Sequence, residues 1–390
     1  MVTPTVQVKY VDSNEGGVWV TWRWEHKLTT PRAWMIPAQY VQGALAAFAQ
    51  VSPNPMPGET ADQALRRAWQ VWGDVEQEKR LAAALASSLI PGALAQELNQ
   101  VLTSGQRPHV RIQPSRALGS IPWEALRIDE GERLVHCSEV STLLPASIRN
   151  SPQRVRPAIG ENAVRVVNPV IPGRIPNLGS VLREQEPLLE RAFGHAERPH
   201  VSRAMLEEDL ADAARLLYVG HVTTGAYGLD TRIHLTDGPE AAGRADVVAG
   251  LHRPLTAADI VEAGWEVPRR VALIACASGG ETGFADPVGL VAALTLRGAR
   301  IVTSARWTLP TDVGLEWLQA QRLSGSATES SAPFTAFAEM VVAVDAAHEQ
   351  ADPVAELNAW QRARADLWER TGDPAYSPLT WGALTTSVAS

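Results

Sequence analysis

Cysteine is nearly absent from this sequence: its 390 residues include two, Cys137 and Cys276, set far apart. That pattern provides no disulfide framework, and a reducing compartment, the cytoplasm, is the expected setting. The opening residues, MVTPTVQVKYVDS, lack the basic start and apolar stretch of a secretory leader. No run reaches the roughly 18 apolar residues needed to cross a bilayer, so no membrane role is expected. A basic stripe is missing too. The formal net charge is -8, and the arginines are interspersed with acids, which argues against nucleic acid as a partner. Zinc-type Cys/His spacings, a phosphate loop, a Gly-x-Ser-x-Gly elbow and internal repeats are all lacking, so neither a metal nor any other cofactor is expected.

Tryptophan, by contrast, is plentiful at thirteen, and it falls in periodic segments such as Trp19, Trp22 and Trp24, where packing explains it. Residues 5–10 (TVQVKY) and 17–24 (GVWVTWRW) are rich in β-branched and aromatic side chains, with Ser13, Asn14, Glu15 and Gly16 between them, and read as a hairpin. Pro53, Pro55 and Pro57 mark 50–58 as a linker, and Ala61 to Leu102 follows with helical spacing interrupted at Pro91. From Val164 onward, VRVVNP, LLYVG, VALIACA and RIVTSA are short apolar runs separated by amphipathic segments, the pattern of parallel strands covered on both faces. Thr256 and Asp259 are spaced as a capping box, and Gly298 is placed to close the helix before RIVTSA. The expected fold is α/β, a doubly wound, mostly parallel sheet with helices on both faces plus a small N-terminal β-hairpin extension. Residues 1–58 form the extension and linker. One large domain covers 59–390, with a helical and β lead-in at 59–160 and the α/β part at 161–390.

In open parallel sheets, ligands bind beyond the carboxyl ends of the strands. His221 closes LLYVG and Cys276 closes VALIA, so the two face one crevice if those strands are neighbours. An imidazole beside a thiol favours the thiolate and can protonate a leaving amine. A lone cysteine in an apolar strand is more often packing than nucleophile. The glycine-rich loop SGGETG (278–283), directly after this one, shifts the balance by letting a substrate backbone approach closely. Cys137, His109, His234 and His252 read as structural or solvated, with His234 alternating outward among charged neighbours.

Several segments also recur in a fixed order: IPWEAL (121–126), LGSVLREQE (178–186), LLYVGH, LTAADI (255–260), VALIACASG, and DPVGLVAALTLRGARIVTSARW ending in Trp307. In that order, over roughly residues 65–390, the sequence resembles the CHAT domains, caspase-like cysteine peptidases related to separase. The resemblance implies a caspase-like sheet, a protein substrate and a covalent thioester acyl-enzyme. It makes His221 the general base and acid, Cys276 the nucleophile, and the Cys276 amide one oxyanion donor. The second donor would be the amide after the histidine, where the family has glycine and this chain has Val222. A β-branched residue resists positive φ. Two readings therefore stand: a cysteine endopeptidase that cleaves a specific protein partner, with room for an activating partner protein, and a catalytically impaired caspase-like binding or regulatory module. A small-amide hydrolase fits poorly, because its cysteine would precede its histidine. For a specificity pocket, Arg306 is a candidate for acidic side chains and Asp286 for basic ones; their competing roles are a salt bridge and a helix cap.

Overall fold

The β-branched and aromatic runs pair into a single ten-stranded sheet. The computed structural model describes residues 3–175, 177–194, 199–225, 227–275, 288–323 and 334–389. In chain order the strands are β1 (Thr5–Asp12), β2 (Val18–Trp24), β3 (Arg32–Ile36), β4 (His109–Gln113), β5 (Glu139–Leu143), β6 (Asn162–Val167), β7 (Ala213–Gly220), β8 (Arg270–Ala275), β9 (Ile301–Ala305) and β10 (Leu384–Val388). Their order in space is β3-β2-β1-β4-β5-β10-β9-β8-β7-β6. Strands β9, β8, β7 and β6 are parallel neighbours. The antiparallel pairings are β10 with β9 and those within β1, β2 and β3.

Helices α1 (Ala38–Val51), α2 (Ala61–Trp72), α3 (Val75–Leu89) and α4 (Gly92–Thr103) precede β4. After β6 come α5 (Pro187–Phe193), α6 (Arg203–Ala211), α7 (Ala257–Glu262), α8 (Val288–Leu296), α9 (Asp312–Leu323), α10 (Ala336–Glu349) and α11 (Pro353–Thr371). Successive side chains on a strand point to opposite faces, and β7 shows why LLYVG is apolar throughout. Leu217 and Val219 enter one core with Leu189 of α5 and Phe337 and Met340 of α10. Leu216 and Tyr218 enter the other with Leu206 of α6, Ile260 of α7 and Leu294 of α8. The sheet is thus doubly wound, as the sequence pattern implies. The α7 capping box forms as expected: Thr256 Oγ1 accepts from the Asp259 amide at 3.0 Å, and Asp259 Oδ2 accepts from the Thr256 amide at 2.9 Å. Gly298, at φ +128°, turns the chain where a Cβ would strike the Val267 carbonyl.

The N-terminal hairpin gains a third strand, β3, and β1 pairs in parallel with β4, Thr5–Lys9 lying opposite His109–Gln113. The extension therefore prolongs the main sheet. The proline-rich stretch at 50–58 is anchored rather than free. Arg67 of α2 donates to the carbonyls of Ala49, Gln50, Ser52 and Asn54 and pairs with Glu59. No single described helix is long and apolar enough to cross a membrane.

Candidate active site

The register of β7 and β8 sets the site. Gly220, the last residue of β7, lies opposite Ala275, the last residue of β8. The next residue after Gly220 is His221. The next after Ala275 is Cys276, which lies outside the described residues, as does Asp286.

His221 is 7% exposed. Its Nε2 is 2.5 Å from the Gly179 carbonyl oxygen. A carbonyl only accepts, so Nε2 carries the proton, and in the neutral ring the basic lone pair is on Nδ1. The backbone of His221 is held as firmly as its ring. The Tyr218 hydroxyl lies 2.8 Å from the His221 carbonyl and 2.9 Å from that of His234. The His234 amide also donates to the His221 carbonyl, at 3.2 Å. Gly220 makes room for this arrangement, because a Cβ there would meet the Tyr218 phenol and Pro169 Cδ.

Val222 and Thr223 form a short strand paired antiparallel with Arg232–Ile233, which in turn pairs with Leu255–Thr256. Among the described non-glycine residues, positive φ occurs at Asn168, Asn177 and Ala249, so Val222 keeps ordinary strand geometry. Beneath this sheet is a buried chain of hydrogen bonds. His252 Nδ1 is 2.7 Å from the Asp237 carbonyl and so donates to it, leaving His252 Nε2 to accept from His234 Nδ1 at 3.2 Å. His234 Nε2 then accepts from the Thr223 hydroxyl at 2.9 Å. Every proton in the chain has one consistent position. Burial, reinforced by His252, His221 and Arg232, pushes the His234 pKa down to about 3, and burial lowers that of His252 as well. His234 is 1% exposed, which corrects its reading as outward-facing. A two-residue strand is too short for its alternation to be read from sequence.

Arg306 is 2% exposed and forms a two-pronged ion pair with Glu124, itself 1% exposed, at 2.6 and 3.0 Å. Its Nη1 also donates to the carbonyls of Gly382 and Leu384 at 3.2 and 2.9 Å. This arginine ties β9 to the IPWEAL segment and the chain around β10. Its guanidinium is occupied internally, so it does not serve as the wall of a pocket for acidic side chains. Trp307, next in sequence, donates from its indole to the Leu379 carbonyl at 3.0 Å.

Cys137 is buried, and its thiol donates to Glu132 at 3.0 Å. Burial, and then the Glu132 carboxylate, push its pKa up to about 12, which keeps it a thiol. His109 Nε2 bonds Ser141 at 2.8 Å, and burial pushes its pKa down to about 4. Among the described residues, no cluster of three or more His, Cys, Asp or Glu side chains could hold a metal ion.

Gly179 was not identified from sequence as a site residue. Its contribution is a backbone carbonyl, which no side-chain pattern reports, although it lies within the LGSVLREQE segment that the family resemblance singles out.

The CHAT domain family model matches residues 79–323. No curated protein matches the chain. Among solved structures, a chain of the Saccharomyces cerevisiae separase–securin complex is similar at 10% identity and a TM-score of 0.46, with 98% of this chain covered. The match spans 30% of that chain.

Proposed function

The chain belongs to the CHAT domain family, and from that membership we propose that it is a cysteine endopeptidase that cleaves a specific protein partner. The observation that carries the reading is the pairing of Gly220 with Ala275, the residues that immediately precede His221 and Cys276. Each of the two candidate residues thus directly follows, in sequence, one member of a cross-strand pair.

The Gly179 contact supports a division of labour between the two ring nitrogens of His221. With Nε2–H donating to that carbonyl, Nδ1 takes the proton from the Cys276 thiol, and the thiolate attacks the scissile carbonyl carbon. The resulting oxyanion accepts from the Cys276 amide and, as second donor, the Val222 amide. On collapse the C–N bond breaks, Nδ1–H protonates the departing amine, and a thioester remains on Cys276. Water then gives a proton to Nδ1 while its oxygen attacks the thioester, releasing the acid and restoring the thiol.

A second reading rests on one observation. Val222 occupies the place of the family's glycine and is held in extended backbone against Ile233. If its amide does not reach the oxyanion, the same crevice serves a binding module.

A peptide acyloxymethyl ketone distinguishes the two. The endopeptidase labels Cys276, and replacing Cys276 with Ala abolishes both labelling and the appearance of new protein termini in cells. Labelling of Cys276 no faster than that of an ordinary thiol, with termini identical for parent and variant, overturns the hydrolytic reading.

A further inference from the structure

At the opposite end of the strands from His221, the starts of β7 and β8 frame a cavity of about 450 Å³. Three guanidinium-bearing residues line it, Arg215 on β7 and Arg269 and Arg270 at the start of β8, together with His348 and Glu349 from the end of α10. Their charges are unevenly matched. Arg215 is paired, with Glu349 and, at 3.4 Å, with Asp345. Among the described residues, Arg270 donates to neutral groups, the His348 carbonyl at 2.6 Å and the Ala351 carbonyl at 3.4 Å. Arg269 is exposed and has no ion pair among the described residues. Burial, and then the neighbouring Arg269 and Arg215, lower the Arg270 pKa, with Asp352 acting the other way.

A second observation is independent of charge. His348 is 2% exposed, and its Nε2 is engaged with Thr303 Oγ1 at 2.8 Å. Its Nδ1 is buried and has no hydrogen-bond partner among the described residues. Buried polar atoms are rarely left unsatisfied. The cavity also falls within the roughly 300–1,000 Å³ typical of small-molecule sites. Ile159, 91% exposed on its lining, adds an apolar wall.

We propose that this cavity is a binding site for a small polyanion, a molecule carrying two or more phosphate or carboxylate groups, held by Arg269 and Arg270. Guanidinium forks match both anions bidentately, and the site is notable in a chain whose formal net charge is -8.

The test is calorimetric titration of the whole chain with pyrophosphate and, separately, citrate, which distinguishes phosphate from carboxylate ligands. One of the two should bind at one equivalent with Kd below about 1 mM. Arg269→Gln, at an exposed side chain that the fold does not need, should weaken binding at least about tenfold, the loss expected for a charge-assisted contact. Arg23→Gln, on distant β2, should leave it unchanged. Failure of both anions to bind below about 10 mM, or equal affinity in the parent and Arg269→Gln, overturns the proposal. Because the readout is binding, it is independent of whether the chain cleaves peptides.

Discussion

Replacing Arg306 with Met tests whether that arginine braces the fold or reads substrate. The substitution strips Glu124, 1% exposed, of its two ion-pair contacts and removes the donor to the Gly382 and Leu384 carbonyls. Breaking a buried pair by deleting one partner costs about 3–5 kcal/mol, most of it from the charge left behind. Glu124→Leu should cost a similar amount by stranding the guanidinium. The double variant Arg306→Met/Glu124→Leu leaves no buried charge. Its residual loss, about 1–3 kcal/mol, comes from the carbonyls that lack a donor, so it should be more stable than either single variant. Urea denaturation followed by the summed tryptophan fluorescence of the chain reads the cycle. If Arg306→Met unfolds within about 0.5 kcal/mol of the parent while changing which peptides are cleaved, the bracing role is wrong and the pocket role is restored.

Gly289 lies in the first turn of α8, and a Cβ there would overlap the Gly228 carbonyl oxygen and approach Thr231 Oγ1. Gly289→Ala should therefore cost about 1–3 kcal/mol through overpacking. Gly43→Ala, in open space on α1, should gain about 0.5–1 kcal/mol from helix propensity, both read as shifts in thermal midpoint. Acid stability has a definite sign. Burial holds His109, His234 and His348 at about 4, about 3 and about 4, below the ordinary 6.5. Their contribution is fully present above 6.5 and is lost as pH falls toward those values, because the unfolded chain binds the protons that the native state excludes. Asp312, raised to about 6 by burial, opposes them with one proton, since its native form holds a proton that the unfolded chain releases. Unfolding at pH 5 should accordingly take up protons, as measured by calorimetry in buffers of different ionisation enthalpy; proton release would contradict the burial of these imidazoles.

The strands that carry the site were legible because burial on both faces keeps them largely apolar, and LLYVG, VALIA and IVTSA fall in β7, β8 and β9. The Thr256 and Asp259 cap was legible because its chemistry is local. Contacts across long separations were not. Gly179 meets His221 across 42 positions through an atom every residue possesses. Glu124 and Arg306 are 182 positions apart, and only the fold makes IPWEAL and the end of RIVTSAR two halves of one buried pair. The hairpin at the N-terminus was visible, but its pairing with β4 depends on a strand about a hundred residues later, and nothing in TVQVKY announces that partner. Arg67, on the helix after the prolines, likewise converts an apparent tether into a fixed turn.

Strand β10 has every residue buried and lies between β5 and β9, both of which precede it in the chain. Without β10 the sheet would divide into two half-platforms, each with a bare margin of backbone donors and acceptors. Such margins recruit foreign strands, so a folding helper would gain most by shielding these two. Leu384–Val388 is the keystone: all five of its residues pair with β9, Ser387 and Val388 pair with β5 as well, and the strand so joins the half that bears His221 to the half built on the N-terminal strands.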